Sequence, residues 1–563
     1  MNALIVLICA FFGIATFTPL RPSPALILTP YIERNETESA RNASRVDPSK
    51  FLNVSSHSGF LTVDVVKNTN LFFWYFPVEN KPLNTTPWII WLQGGPGATS
   101  LAGLFLEIGP FQYDKELKLR EWSWSKEYSL LFIDSPVGAG YSFTSSDDGF
   151  VSNMDECSGH LYGFLQQFLE LFPEHRHAPL YLAGESYAGH FVPALAHRIL
   201  HPPPEIHRSA LRDISINLKG LMLGNPLIDR RDETDISSTY YQWGLIDQQG
   251  KLVVQPLQHQ YEKAIEKNDS AAAYKLRNSL IDRLSELTNQ YQTYNVLKDD
   301  MELQRFMEFI KKPEIAQAIH VGDRGFTFSN SEVHTKLIPD FLEKASTKVE
   351  ELLEHYKILI FCGQLDLTVP YIANAEARRK NWRWSHRNDF LKAPRLPWLY
   401  NGSLAGYVKS GGGLTEVLVR GAGHLVPLDK PAEVKQLITY FINGLDLPSS
   451  TQAKVIALEI PTYTENNEER KGVTPITSST QSTNENEKAN TPSSQSAKEN
   501  VVPSTSSSQA KNGMVASAVL NVILVIIIIL GIVYWVRWKR RTETYYYDMV
   551  DNTSLNDAVL TMN

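Results

Sequence analysis

The sequence predicts an α/β fold, a mostly parallel central sheet flanked by helices, with a helical cap inserted between strands. Three observations predict it. Short apolar runs recur, each followed by a Gly-rich turn and a helix-favouring stretch, the pattern of parallel strands buried on both faces. One of them, Leu180-Tyr-Leu-Ala-Gly-Glu185, leads through Ser186 into a helical stretch ending near Leu200. Between about 228 and 345 the strand signal disappears, and charged, helix-favouring stretches such as Asp299–Lys312 replace it.

Length and composition frame the reading. The chain has 563 residues, of which 43% are hydrophobic and 20% charged, with a net charge of −7. It is long enough to bury a large core. No basic run precedes residue 537, which excludes nucleic-acid binding. No metal-ligand cluster is recognisable, and no cofactor is implied. Of the three cysteines, Cys9 lies in the leading apolar segment. Cys157 and Cys362 form either one disulfide or two buried thiols, and the sequence leaves both open.

Taken in order, residues 1–19 read as a signal peptide built on the apolar run 3–15. Asn-X-Ser/Thr sequons at Asn35, Asn42, Asn53, Asn84, Asn268 and Asn401 agree with secretory entry. A catalytic domain is expected over 20–448. Its strands start with Gly59-Phe-Leu-Thr-Val-Asp, Leu71-Phe-Phe-Trp-Tyr-Phe and Trp88-Ile-Ile-Trp-Leu, the last running into Gln93-Gly-Gly-Pro-Gly97. Leu130-Leu-Phe-Ile-Asp134 precedes a helix near Met154–Leu171. Leu218-Lys-Gly-Leu-Met-Leu-Gly224, Lys357-Ile-Leu-Ile-Phe-Cys-Gly363 and Thr415-Glu-Val-Leu-Val419 repeat the scheme, and a helix from Pro431 to Asn443 closes the domain.

Residues 449–512, rich in Ser, Thr, Asn, Gln, Glu and Lys, read as a stalk with too little apolar surface to fold. The uncharged run 513–536 is long enough to span a bilayer, and Arg537, Lys539, Arg540 and Arg541 follow it. The expectation is a single-pass type I membrane protein of the secretory, endosomal-lysosomal or Golgi system. Its catalytic domain would be lumenal or extracellular and residues 537–563 a cytosolic tail. Tyr546 and Tyr547 each open a Tyr-x-x-bulky tetrapeptide of the kind that resembles sorting signals.

The chemistry rests on the strand-turn-helix around Ser186, the nucleophile elbow of the α/β-hydrolase fold. Its turn needs small residues two before and two after the Ser, and Gly184 and Ala188 supply them. Nucleophilic acyl transfer also needs a base and an acid to orient it. In this fold they follow in the order Ser, Asp, His, each on a loop after a strand. Asp366 and His424 fit both order and placement, whereas Asp134 precedes Ser186. The backbone N–H groups of Gly95 and Tyr187 are the expected oxyanion hole.

Five motifs then stand in sequence: Trp91-Leu-Gln-Gly-Gly-Pro-Gly, Asp134-Ser-Pro-Val-Gly-Ala-Gly-Tyr-Ser, Gly184-Glu-Ser-Tyr-Ala-Gly, Gly224-Asn-Pro and Gly421-Ala-Gly-His-Leu-Val-Pro. Together they resemble the serine carboxypeptidases, and the Gln-Gly-Gly-Pro-Gly form resembles the vitellogenic-like branch. The resemblance implies removal of residues from peptide or protein C-termini. It also implies capture of the terminal carboxylate by Gln93, the Gly94 N–H, Glu107 and Glu185. Clustered carboxyls require at least one to be protonated, so activity is expected at acidic pH. Gln93 stands where many members carry Asn, and Ala98 where many carry a disulfide-bonded Cys. The apolar run 513–536 is similar to the anchor of membrane-bound Golgi processing carboxypeptidases.

The expected function is therefore a serine-type carboxypeptidase acting through an acyl-enzyme. An acyltransferase of the same fold is one alternative; a non-catalytic adhesion or scaffold protein with a hydrolase-like ectodomain is the other. Side-chain preference and oligomeric state are left open, a dimer included.

Overall fold

The structure, a computed structural model, describes residues 24–203, 214–232, 235–301 and 303–449. The expected signal peptide, stalk, membrane span and tail lie outside the described residues.

Eleven strands form one sheet. Its six central strands are, in spatial order, Ser129–Ile133, Trp88–Leu92, Leu180–Glu185, Leu218–Gly224, Lys357–Gly363 and Leu414–Val419, each parallel to its neighbours. Antiparallel strands flank this centre: Arg45–Val46, Ser56–Asp64 and Thr69–Phe76 on one side, Ser403–Gly411 and Leu396–Tyr400 on the other. The central strands are largely apolar because helices cover both faces. Their side chains alternate with period two between two cores. Leu180, Leu182, Ile358 and Ile360 face the helices Met154–Leu171, Ala188–Leu200 and Ser346–Leu352. Tyr181, Ala183, Leu359 and Phe361 face the helix Pro431–Ile442 and the segment around Phe306–Val321.

Local chemistry fixes where helices begin. Asn153 accepts from the Glu156 N–H (2.9 Å) and caps Met154–Leu171, with Asp155 and Glu156 against the positive end of the helix dipole. Asp235, Asp247 and Asp269 cap Ile236–Gln242, Gln248–Glu266 and Ser270–Thr288 in the same way. Among the described residues between Gly224 and Lys357, these helices and several shorter ones occur without a strand; isolated bridges from Ser329 to Ala98 and from Thr327 to Gly140 help tie the segment to the turns below. Tyr240, Val254, Leu280 and Leu284 make a separate small core that includes Leu367, so the inserted helices pack directly beside Asp366.

Cys157 and Cys362 are both free, buried thiols, which settles the choice left open by the sequence. Burial pushes each thiol up to about 12. All six sequon asparagines are exposed.

One expectation is corrected. The single-pass membrane localisation rested on the 513–536 run, outside the described residues, and among the described residues no helix is long and apolar enough to cross a membrane.

A buried ion pair braces the strand that ends before His424. Glu416 accepts from Arg378 Nε (3.1 Å) and Nη2 (2.7 Å) and from Arg379 Nη2 (2.5 Å). Glu416 and Arg378 are buried, so removing the carboxylate strands a guanidinium in the interior. Glu416→Ala is expected to destabilise the protein by about 3–5 kcal/mol, read as a lowered Tm by circular dichroism.

Candidate active site

The residues singled out from the sequence converge at the carboxyl ends of the parallel strands, where α/β sheets place their sites. Gln93, Gly94 and Gly95 follow Trp88–Leu92; Ser186 follows Leu180–Glu185; Asn225 follows Leu218–Gly224. Asp366 and His424 sit on loops after Lys357–Gly363 and Leu414–Val419.

Ser186 is held at φ +59, in the left-handed region that a non-glycine residue adopts only under constraint. The constraint is visible in its bonds: its N–H donates to the Gly224 carbonyl (3.0 Å), and its carbonyl accepts from the Gly189 and Leu227 N–H groups (2.9 Å each). Gly184 has no room for a side chain. A Cβ there would stand 2.5 Å from the Leu92 carbonyl oxygen and 2.6 Å from Ala188 Cβ. The turn thus demands the small residues that flank it, and Ser186 stays half-exposed while its neighbours are buried.

The Gln93–Gly97 turn lies against this elbow. A Cβ on Gly94 would meet the Tyr187 nitrogen at 2.6 Å, so only glycine allows the approach. Gly95 takes φ +111. The hydrogen bonds of the two turns engage neither the Gly95 nor the Tyr187 N–H.

His424 Nδ1 lies 2.7 Å from Asp366 Oδ2, both side chains buried. His424 Nε2 is buried and has no hydrogen-bond partner. Asp366 is itself saturated. Its Oδ1 accepts from the Thr368 (2.7 Å) and Val369 (3.2 Å) N–H groups, and its Oδ2 also accepts from Asn225 Nδ2. Asp366 in turn fixes the proton of His424 on Nδ1 and leaves Nε2 as acceptor.

A second constellation sits beside the elbow. Gln93 Oε1 accepts from Trp91 Nε1 (2.9 Å), which orients the amide. Its Nε2 then donates to Glu185 Oε1 (2.6 Å) and, at 3.5 Å, reaches Glu107 Oε1. Glu107 ends a π-helical turn, Gly103–Glu107. Both carboxyls are fully buried. Burial raises each above the usual carboxylate range, and for Glu185 the neighbouring Glu107 raises it further. The oxygens Glu107 Oε2 and Glu185 Oε2 are buried without a hydrogen-bond partner.

Two contributors were not anticipated from the sequence. Asn225, at φ +37, donates to Asp366 and accepts from the Gly363 N–H (2.8 Å), joining two strand ends. Its signal was present as Gly224-Asn-Pro after a strand. The other is Thr293–Val296, within the inserted segment. The Tyr294 carbonyl accepts from the His424 N–H (2.6 Å), and the Tyr294 ring packs on the imidazole at 4.7 Å. Leu367 N–H donates to Thr293 O (2.9 Å) and Val296 N–H to Leu365 O (3.0 Å), so the segment straps both loops. Asp134 serves another purpose: buried and pushed up to about 6 by desolvation, it accepts from Thr99 Oγ1 and the Ser100 and Tyr141 N–H groups.

A serine on a strained elbow, a buried Asp–His pair and two buried carboxyls raised above the usual range stand together at one end of the sheet. Residues 47–444 match the family model described as serine carboxypeptidase. The chain belongs to the serine carboxypeptidase family. It is accordingly a serine-type exopeptidase, a hydrolase of the α/β-hydrolase fold. It is 38% identical to the venom serine carboxypeptidase of Apis mellifera over 434 residues, covering 74% of this chain and 91% of that one. To the vitellogenic carboxypeptidase of Aedes aegypti it is 37% identical, covering 75% and 92%. To the probable serine carboxypeptidase CPVL of Homo sapiens it is 35% identical, covering 74% and 90%. A prohormone-processing carboxypeptidase from Saccharomyces cerevisiae shares the fold with a TM-score of 0.64 at 24% identity, covering 73% of this chain and 98% of that one. The family match ends at residue 444, before the 513–536 run. The single-pass localisation read from that run is not retained.

Proposed function

We propose that this protein releases single residues from the C-termini of peptides at acidic pH, with Ser186 as nucleophile, His424 as general base then acid, and Asp366 as its orienting partner. The observation that carries the reading is the buried Asp366–His424 pair, whose free Nε2 sits on the sheet edge that presents the Ser186 elbow. Ser186 Oγ attacks the last peptide carbonyl and passes its proton to His424 Nε2. The N–H groups of Gly95 and Tyr187 stabilise the tetrahedral oxyanion. His424 then protonates the departing amino group, and water, deprotonated by the same nitrogen, hydrolyses the acyl-enzyme. Apo catalytic hydrogen bonds commonly tighten only once substrate is bound.

Gln93, the Gly94 N–H, Glu107 and Glu185 receive the substrate's terminal carboxylate. Three carboxyl groups can share this space only while a proton remains among them. The sign follows from the raised carboxyls. Below their raised values the pair is protonated and accepts the anion, and as the pH climbs through those values it ionises and repels it. The expected result is a KM for blocked dipeptides that rises steeply above neutrality while kcat falls less. Glu185→Gln keeps that position neutral and is expected to flatten the rise. An unchanged alkaline limb in that variant, measured by initial rates across pH, removes the pair from the proposal. The working unit spans 20–448, the inserted helices of about 228–345 form its cap, and the six exposed asparagines are its glycan acceptors.

A further inference from the structure

Away from these catalytic groups, His197, His201 and Glu351 bring their ligating atoms within 4.8 Å of one another. His197 Nε2 lies 3.1 Å from Glu351 Oε2, and His201 Nε2 2.6 Å from Glu351 Oε1. The two imidazoles are four residues apart at the end of the helix Ala188–Leu200, so they leave the same face one turn apart. Glu351 comes from the separate helix Ser346–Leu352. Both helices bury Leu195, Ala196, Val349 and Leu352 in one core, which makes the three side chains' supports rigid.

We propose that His197, His201 and Glu351 form a surface site for a first-row divalent transition cation, zinc above all. Two imidazole nitrogens and a carboxylate oxygen are a donor set that Zn²⁺ takes, with solvent in the remaining position. Donors around a tetrahedral zinc stand roughly 3.3 Å apart at the metal–ligand distances of about 2.0–2.2 Å. The observed separations need only a small outward turn of partly exposed side chains. Among the described residues, the nearby Arg198 pairs with Asp155 and Lys348 with Glu343 rather than with Glu351. Binding would staple the helix that starts at the elbow to the helix preceding the strand Lys357–Gly363, which leads to Asp366. His197 lies eleven residues beyond Ser186, about 16 Å along the helix axis, so the cation takes no part in acyl transfer.

The test uses the full-length protein without a polyhistidine tag, stripped with EDTA and titrated with ZnCl₂ in a calorimeter at pH about 7.5, where imidazole is neutral. One zinc per chain and a raised Tm are expected. Glu351→Gln and His201→Ala should each weaken binding by at least about tenfold. The His197→Ala/His201→Ala double variant should abolish it, with metal-free peptide hydrolysis unchanged as evidence of folding. Repeating the titration at pH about 5 should weaken binding, because protons compete with the metal for its ligands. No binding by the parent protein, or the same stoichiometry and affinity in the double variant, overturns the proposal.

Discussion

Replacing Ser186 by alanine is expected to lower kcat by about 10⁶-fold with little change in KM, since nucleophile and base act as one unit and the loss of either removes nearly all triad catalysis. The elbow should survive the change. Its strained backbone is held by the bonds to Gly224, Gly189 and Leu227, none of which uses the hydroxyl. The proposed oxyanion donors Gly95 and Tyr187 remain, so a residual rate of about a thousandfold over water is the floor. Steady-state kinetics on a blocked dipeptide, with Tm as the folding control, checks both halves. A variant that kept even a tenth of its kcat would show that another residue attacks the carbonyl.

The second large effect is expected at Asp366. Asp366→Asn should cost about 10⁴-fold in kcat with the fold intact. Every lone pair of this carboxylate meets a donor: His424 Nδ1, Asn225 Nδ2, and the Thr368 and Val369 N–H groups. An amide must turn its NH₂ toward one of those donors. If it faces His424, the imidazole is driven to the other tautomer, its proton moves to Nε2, and it can no longer accept from Ser186. If it faces the Thr368 loop, two backbone donors lose their acceptor. On the proposed reading the terminal carboxylate binds to Gln93, Gly94 and the glutamate pair, so KM should change little. The drop in kcat at constant KM separates loss of base function from loss of substrate.

Much of this site could be read from residues alone, for physical reasons. A nucleophile elbow needs Gly184, Ser186 and Ala188 in fixed spacing, and the close approach at Gly94 admits no other residue. The parallel strands declare themselves because burial on both faces leaves them largely apolar. The strap at Tyr294 was not legible, because it acts through backbone groups, which carry no residue signature. Asn225 looked like a turn residue and is one; its side-chain role depends on two strand ends that only folding brings together. The antiparallel pair Leu396–Tyr400 and Ser403–Gly411 turns at Asn401-Gly402, both at positive φ, the commonest signature of a tight hairpin. That dipeptide was read only as the start of a sequon, though both readings hold for the same exposed residue. The Glu107–Glu185 pair came from family resemblance, since no local pattern announces that residues 78 apart in sequence will share a buried pocket.

The most direct test of the account is a time course, by mass spectrometry at pH about 5, where the carboxyl pair is protonated, of one peptide carrying a free C-terminus and its C-terminally amidated twin. The account predicts that the free peptide loses residues one at a time from its end, that the amidated peptide is consumed far more slowly, and that Ser186→Ala spares both. Internal cleavage, or equal consumption of the two peptides, would contradict recognition of the terminal carboxylate and with it the function assigned to Gln93, Glu107 and Glu185.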